Sequence, residues 1–399
     1  MRILVIGSGG REHAIGWKLA QHGHTVFAAP GNPGLAEVGT ILNTADYVAA
    51  AESANVDLTV VGPEVPLVAG VVDQFRACKL RIVGPDRDQA QLEGSKIFSK
   101  QFMLDAGIPT ARSVQVRDFD AARAALDSFP LPVVIKADGL AAGKGVVIAN
   151  TRDEALSAVA ALGPNLVVEE FLSGEEISFI ALCDGQSALP LEATQDHKAV
   201  YDGDAGPNTG GMGAYCDGRL IDAGTRSRIM DTVVRPVLER TAFTGFLYAG
   251  LMMTPAGPRV LEFNVRLGDP ETQPLVHRMR TDFAEVLMAA ANGELDQVRF
   301  DWRPEPSVCV VLAAAGYPGK VRTGDVVSGI EGCGADVFQA GTRLTACGLE
   351  TAGGRVLGVT ARGANLERAI ANTYDAVSKI GFDGMHFRKD IGRKGLKRW

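Results

Sequence analysis

Val133-Val134-Ile135-Lys136-Ala137-Asp138-Gly139-Leu140-Ala141-Ala142-Gly143-Lys144-Gly145-Val146-Val147-Ile148-Ala149 sets two short β-branched runs on either side of a glycine-rich loop. Branched Cβ atoms favour a pleated surface, and glycine lets the chain reverse, so the stretch reads as an antiparallel hairpin. Lys136 closes its first strand and Lys144 sits in its loop. Backbone N–H groups without side chains in the way can approach phosphate oxygens, which makes Gly143, Lys144 and Gly145 candidate phosphate contacts. A mobile hairpin tip is the alternative. A Walker A loop is excluded, because that motif has four residues between its glycines and Ser or Thr after the lysine. Here three residues separate Gly139 from Gly143, and Gly145 follows Lys144. Downstream, a helical stretch with Ala155, Leu156 and Val159 leads to apolar runs at 166–170 and 177–182. Together with the hairpin these predict a small antiparallel lid over about 113–185.

Upstream of the lid the pattern is different. Apolar runs at 3–6, 25–29, 58–61 and 81–83 alternate with amphipathic stretches, the signature of a parallel α/β sheet with right-handed crossovers. Leu67, Val68, Val71, Val72 and Phe75 form one helical stripe. Gly7-Ser8-Gly9-Gly10-Arg11-Glu12 follows the first strand like a dinucleotide-binding turn. Glu12 stands at the third glycine position, however, and Phe27-Ala28-Ala29-Pro30 offers no acid for a ribose 2′-hydroxyl. A helix N-terminus with Gly9, Gly10 and Arg11 suits a phosphate monoester instead, or is a packing turn only. A further helix carrying Ile97, Phe98, Phe102 and Met103 stops at Gly107 and Pro109. The domain boundary is expected at residue 93.

Leu261-Glu262-Phe263-Asn264-Val265-Arg266-Leu267 is the sharpest chemical signal. Strand side chains alternate, so Glu262, Asn264 and Arg266 share one face. A carboxylate and an amide oxygen at that spacing suit a hard cation such as Mg²⁺, and Arg266 could fork onto a carboxylate or phosphate. A solvated strand edge is the bland reading, and the polar turn Gly268-Asp269-Pro270-Glu271-Thr272-Gln273 weighs against it. The runs at 246–253 and 259–267 predict a hairpin. A glycine-rich loop over 203–213 is long enough to be functional. From about 299 a mixed α/β segment begins, with a strand at 308–312 and a helix carrying Leu366, Ile370, Tyr374 and Val377. The expected domains are therefore 1–93, 94–298 and 299–399.

Composition closes off other classes. The formal net charge of −7 provides no basic field for nucleic acid. The longest apolar run, 308–315, is far short of the roughly 18 residues a membrane span needs. No signal-type leader is read, and the Cys residues (78, 183, 216, 309, 333 and 347) form no C-x-x-C pair, so a cytoplasmic chain with free thiols is expected. His22 and His24 read as a solvated turn, Arg393, Lys394, Lys397 and Arg398 as a solvated tail, and Met252, Met253, Phe98 and Phe102 as packing.

The chain resembles the phosphoribosylamine–glycine ligase family of ATP-grasp enzymes. The resemblance runs end to end. It rests on G-G-R-E-H at 9–13, G-P-E-V-P-L at 62–67, L-E-G-S-K at 92–96, I-K-A-D-G-L-A-A-G-K-G at 135–145 and V-E-E-F-L-S-G-E-E at 168–176. Further stretches are Q-D-H-K at 195–198, G-P-N-T-G-G-M-G-A-Y at 206–215, E-F-N-V-R-L-G-D-P-E-T-Q-P at 262–274 and R-K-D-I-G at 388–392. It implies a multidomain α/β and α+β fold: a parallel pre-ATP-grasp domain, an ATP-grasp domain with an antiparallel lid, and a C-terminal mixed α/β domain. It also implies ATP-dependent joining of glycine to 5-phosphoribosylamine through glycyl phosphate, in purine biosynthesis, with Mg²⁺ or Mn²⁺. A monomer or weak homodimer is expected.

The residue roles it implies are these. Lys96 and Lys136 neutralise ATP phosphates, with Arg266 beside them in catalysis. Glu169, Glu170, Phe171 and Leu172 form the adenine hinge, and Glu176 reaches the ribose. Glu262 and Asn264 hold the metal; 246–253 contains no acid to add to them. Asp196, His197, Lys198, Asn208, Gly210, Gly211, Asp269 and Glu271 close over phosphoribosylamine. Its phosphate sits at Gly9, Gly10 and Arg11, and Glu64 meets its hydroxyls. Another ATP-grasp carboxylate–amine ligase and a nicotinamide-dependent dehydrogenase are the alternatives.

Overall fold

A computed structural model of the chain describes residues 1–140 and 145–398. The N-terminal strands form a five-stranded parallel sheet in the order Thr40–Ile41, Thr25–Pro30, Arg2–Gly7, Leu58–Val61, Ile82–Val83. Ile3, Leu4, Val5 and Ile6 are wholly buried because helices cover both faces of this sheet. The helix Gly10–Gln21 starts at the carboxyl end of the central strand, facing the cleft described below. The single helix expected over 67–75 is two, Glu64–Val68 and Val71–Ala77. Gly70 breaks it with φ of 85°, a left-handed conformation open to glycine. The apolar stripe continues across the break, which is why periodicity alone misses it.

The lid is a four-stranded antiparallel sheet in the order Ser113–Val116, Leu166–Glu170, Val133–Ala137, Val146–Ala149. Helices Phe119–Leu126 and Arg152–Leu162 cover it and give it its own core, including Ile135, Val168, Leu126 and Val159. Each such side chain, fully buried, contributes roughly 1.5–3 kcal/mol. The lid sheet ends at Glu170, short of the expected 185. Glu175–Asp184 instead pairs along its whole length with Thr244–Thr254. Its middle is a continuous apolar run, which suits a strand buried on both faces of a large sheet.

That large sheet runs Gly257–Asn264, Thr244–Thr254, Glu175–Asp184, Thr194–Asp196, Gly213–Cys216, Ser307–Ala313, Arg355–Arg362, Asp336–Gln339. Strand Ser307–Ala313 pairs directly with Gly213–Cys216, so the C-terminal segment extends the central sheet. Helix Leu366–Val377 packs on this extension. Of the basic tail, Arg393 and Lys397 are exposed as expected, whereas Lys394 pairs with Asp204 at 2.6 Å, and Arg398 pairs with Glu175 and donates to the Leu220 carbonyl. Phe98, expected to pack, is 44% exposed and stacks on Phe102. Among the described residues no helix is long and apolar enough to cross a membrane.

Candidate active site

A cavity of about 470 Å³ opens where the lid, the Thr244–Asn264 hairpin and the carboxyl ends of the N-terminal strands meet. At its lid end, Lys136 and Lys96 arrive from different elements. Lys136, near the end of strand Val133–Ala137, donates to the Leu261 carbonyl at 2.9 Å and pairs with Glu169. Lys96 opens helix Lys96–Asp105, whose N-terminus Ser95 caps, and donates to the Gly139 carbonyl at 2.7 Å. Burial lowers the pKa of Lys96, against the pull of Glu262. Val134, Ile148, Phe171, Leu172, Met252 and Leu261 line the cavity beside these ammonium groups. An apolar wall next to two cations fits a base carrying a phosphate chain.

The expected hinge residues Glu169, Glu170, Phe171 and Leu172 all line the cavity, and the two carboxylates are also engaged by protein partners. Glu169 lies between Lys100 and Lys136, and Glu170 accepts from Arg112 N at 2.9 Å and from Arg259 at 3.0 Å. Glu176, expected at a ribose, pairs with Lys198. Gly145 lines the cavity, whereas Gly143 and Lys144 lie outside the described residues.

Glu262, Asn264 and Arg266 do come together. A β-bulge faces Gly250 to Glu262 and Leu251 to Val260, leaving Leu261 extra. The strand ends at Asn264, and Arg266 folds back from the bend that follows. Its guanidinium donates to Asn264 Oδ1 at 3.1 Å, Glu93 at 2.7 Å and Glu64 at 3.3 Å. Burial works against this charge, and Glu93 and Glu64 outweigh burial, raising the pKa of Arg266 further. Burial raises Glu262, but Lys198, Lys136 and Lys96 more than offset it and keep the group a carboxylate. A carboxylate and an amide oxygen turned into a cavity beside lysines fit Mg²⁺ or Mn²⁺, provided phosphate oxygens and water complete the set. Among the described residues no group of three His, Cys, Asp or Glu could hold a metal unaided.

Beyond Arg266 the cavity is lined by Asp196, Lys198, Asn208, Gly210, Asp269 and Glu271. Burial pushes the Asp196 carboxyl up to about 8; Lys198 opposes that shift, and Glu271, Glu176 and Glu262 add to it. Glu271 accepts from Tyr248 at 2.6 Å, and Tyr248 in turn hydrogen-bonds Ser178 at 2.7 Å. From the C-terminal segment Arg355 donates to the carbonyls of Gly210, at 2.6 Å, and Asp269, at 2.5 Å. Gly211 has φ of 115°, and a Cβ there would lie 2.4 Å from Pro270, so the loop approaches the 268–271 turn this closely because the residue is glycine. His197, expected to join them, is buried, does not line the cavity, and has its pKa lowered by burial to about 3.

At the N-terminal glycine turn Arg11 lines the cavity, and the turn's own Glu12 takes up part of its hydrogen-bonding capacity. The Glu12 carboxylate accepts from Gly9 N and from Arg11 Nε, and Arg11 also donates to the Leu267 carbonyl at 2.9 Å. A Cβ on Gly7 or Gly62 would run into Glu12. The turn thus holds its own carboxylate where a pyrophosphate would sit in a dinucleotide fold, which removes the dehydrogenase alternative. Glu64 stays at the cavity wall, paired with Arg266.

Several lining residues have no assignment from sequence. Glu93 lies inside the quoted L-E-G-S-K stretch, and Lys100 follows Lys96 at helical i, i+4 spacing, so both carried a local signal. Met252, read as packing, belongs to the apolar wall. Tyr248 and Arg355 lie on strands with no local pattern to mark them.

The chain matches the families described as phosphoribosylglycinamide synthetase N domain over residues 1–93, ATP-grasp (A) domain over 94–272 and C domain over 307–394. It is 47% identical to a phosphoribosylamine–glycine ligase of Yersinia pestis, with 100% of each chain covered. It is likewise 47% identical to that of Pseudomonas aeruginosa, covering 100% of this chain and 99% of the relative. The crystal structure of the Thermotoga maritima phosphoribosylamine–glycine ligase superposes with a TM-score of 0.87 at 34% identity, over 98% of this chain and 100% of that one. A Thermotoga maritima N5-carboxyaminoimidazole ribonucleotide synthetase shares the fold alone, with a TM-score of 0.67 at 18% identity over 96% of this chain and 99% of that one. With three domain matches in chain order and full-length relatives at such identity, this chain belongs to the phosphoribosylglycinamide synthetase (phosphoribosylamine–glycine ligase) family.

Proposed function

We propose that the chain joins glycine to 5-phosphoribosylamine with ATP, yielding glycinamide ribonucleotide, ADP and phosphate. The observation that carries this reading is the single cavity in which Lys96, Lys136 and Arg266 flank the Glu262–Asn264 oxygen pair, beside an apolar wall. A glycine carboxylate resists attack by an amine because its charge repels the nucleophile and oxide is a poor leaving group. One of its oxygens attacks the γ-phosphorus of ATP, the bond from that phosphorus to the β–γ bridging oxygen breaks, and ADP departs. The amine of phosphoribosylamine then attacks the acyl carbon of glycyl phosphate, and the bond from that carbon to the phosphate oxygen breaks.

In this reading Lys96 and Lys136 hold the phosphates, Arg266 orients the carboxylate, and Glu93 and Glu64 fix the guanidinium. Glu262 and Asn264 would hold a divalent cation, which would supply charge neutralisation for the transferred phosphoryl group. Asp196 takes the proton that the amine sheds, a task suited to a carboxyl with a pKa near the working pH. Asn208, Gly210, Gly211, Asp269 and Glu271 close over the ribosyl substrate. The lid keeps water from the acyl phosphate. No side-chain nucleophile is required.

Release of ADP in the presence of Mg²⁺ tests the reading directly. It is expected only with both glycine and freshly prepared phosphoribosylamine. Equal release with bicarbonate or another amino acid in place of glycine would assign the chain to a different carboxylate–amine ligation.

A further inference from the structure

Beside the phosphate-facing lysine lies another that lines the same cavity. Lys100 and Glu169 have side chains only 3% and 2% exposed, and Lys100 Nζ stands 2.7 Å from Glu169 Oε2. Lys136 takes the other oxygen, Oε1. The two ammonium groups are also tied to adjacent carbonyls of one strand. Lys100 donates to Thr110 Oγ1 at 2.7 Å, which donates to the Val260 carbonyl at 2.7 Å, while Lys136 donates to the Leu261 carbonyl.

The charges of this triad do not cancel. A lone Lys136–Glu169 pair would be neutral and would also present a carboxylate to the nucleotide. With Lys100 on the second oxygen, one negative charge is shared by two positive ones, and the group as a whole carries a surplus positive charge. We infer that Lys100 is a positioning residue that holds and neutralises Glu169, so that Lys136 offers an uncompensated charge to the phosphate chain. The inference rests on the reading of Lys136 as a phosphate contact.

Equilibrium binding of ATP and of adenosine to the full chain separates the possibilities. Lys100→Met should weaken ATP about tenfold and leave adenosine within about twofold, because only the phosphates sense the charge. The double variant Lys100→Met/Glu169→Gln, which removes both members of the Lys100–Glu169 pair, should regain most of the ATP affinity. Equal weakening of ATP and adenosine would mean that Lys100 merely supports the hinge, and would overturn the inference. So would unchanged ATP binding by Lys100→Met where Lys136→Met loses it. If Lys136→Met keeps full ATP affinity, the phosphate reading fails first and the inference with it. Should Lys100→Met not fold, Glu169→Gln with and without Lys100→Met gives the same answer. Equal ATP affinities support the inference, and a further tenfold loss contradicts it.

Discussion

At the scale of single residues, what was legible depended on whether the partner is close in sequence. Glu262 and Asn264 could be read because strand alternation puts them on one face, whereas Arg266 lies past the strand end and reaches Asn264 by folding back from the bend. Arg11 could not be read in the same way. Its partners are Glu12 and the carbonyl of Leu267, and the second comes from a turn more than half the chain away. The glycine turn therefore looks like an open anion site in sequence, whereas in the structure Glu12 accepts from Gly9 N and from Arg11, which lines the cavity.

Asp196 carries a residue-scale prediction. Burial, opposed by Lys198 and reinforced by Glu271, Glu176 and Glu262, holds its carboxyl up to about 8. The group is mostly protonated, and so unable to accept a proton, below that pH. Turnover with all substrates saturating should rise about tenfold per pH unit below 8 and level off above it. Asp196→Asn should lower the plateau and abolish the slope. A flat profile in the parent protein would remove Asp196 as the base.

At the scale of elements, strand and helix types follow from periodicity, but their ends and sheet partners do not. The apolar run at 177–182 suits a lid strand and a central strand equally well; pairing with Thr244–Thr254 decides for the central sheet. Gly70 interrupts a helix whose stripe continues past it. Helix Lys96–Asp105 gives the prediction at this scale. Ser95 accepts from Phe98 N at 3.1 Å and donates to Asp138 at 2.9 Å, fixing both the helix start and the lid loop that follows Lys136. Ser95→Ala should cost about 1 kcal/mol of stability in a denaturant titration and raise KM for ATP more than KM for glycine. An unchanged unfolding midpoint would show that the cap does not hold Lys96.

At the scale of the whole molecule, the cavity is assembled by long-range pairing that local pattern does not encode. The large sheet carries the C-terminal segment to the edge of the site, where Arg355 ties Gly210 to Asp269. The tail closes back through Lys394 on Asp204 and Arg398 on Glu175, acids remote in sequence, which is why a basic tail reads as solvated from composition. Arg355→Ala should raise KM for phosphoribosylamine about tenfold and leave KM for ATP nearly unchanged, since the lysine end of the cavity is built from other elements. Matching losses for both substrates would show that the C-terminal segment acts on the fold as a whole.

The central claim is that the glycine carboxylate is activated as an acyl phosphate in this cavity, and the fate of its oxygens tests it most directly. Glycine carrying ¹⁸O in both carboxyl oxygens, turned over with ATP and phosphoribosylamine, should deliver one labelled oxygen to inorganic phosphate and keep the other in the amide, with ADP as the nucleotide product. Unlabelled phosphate, or label recovered in AMP, would contradict the account.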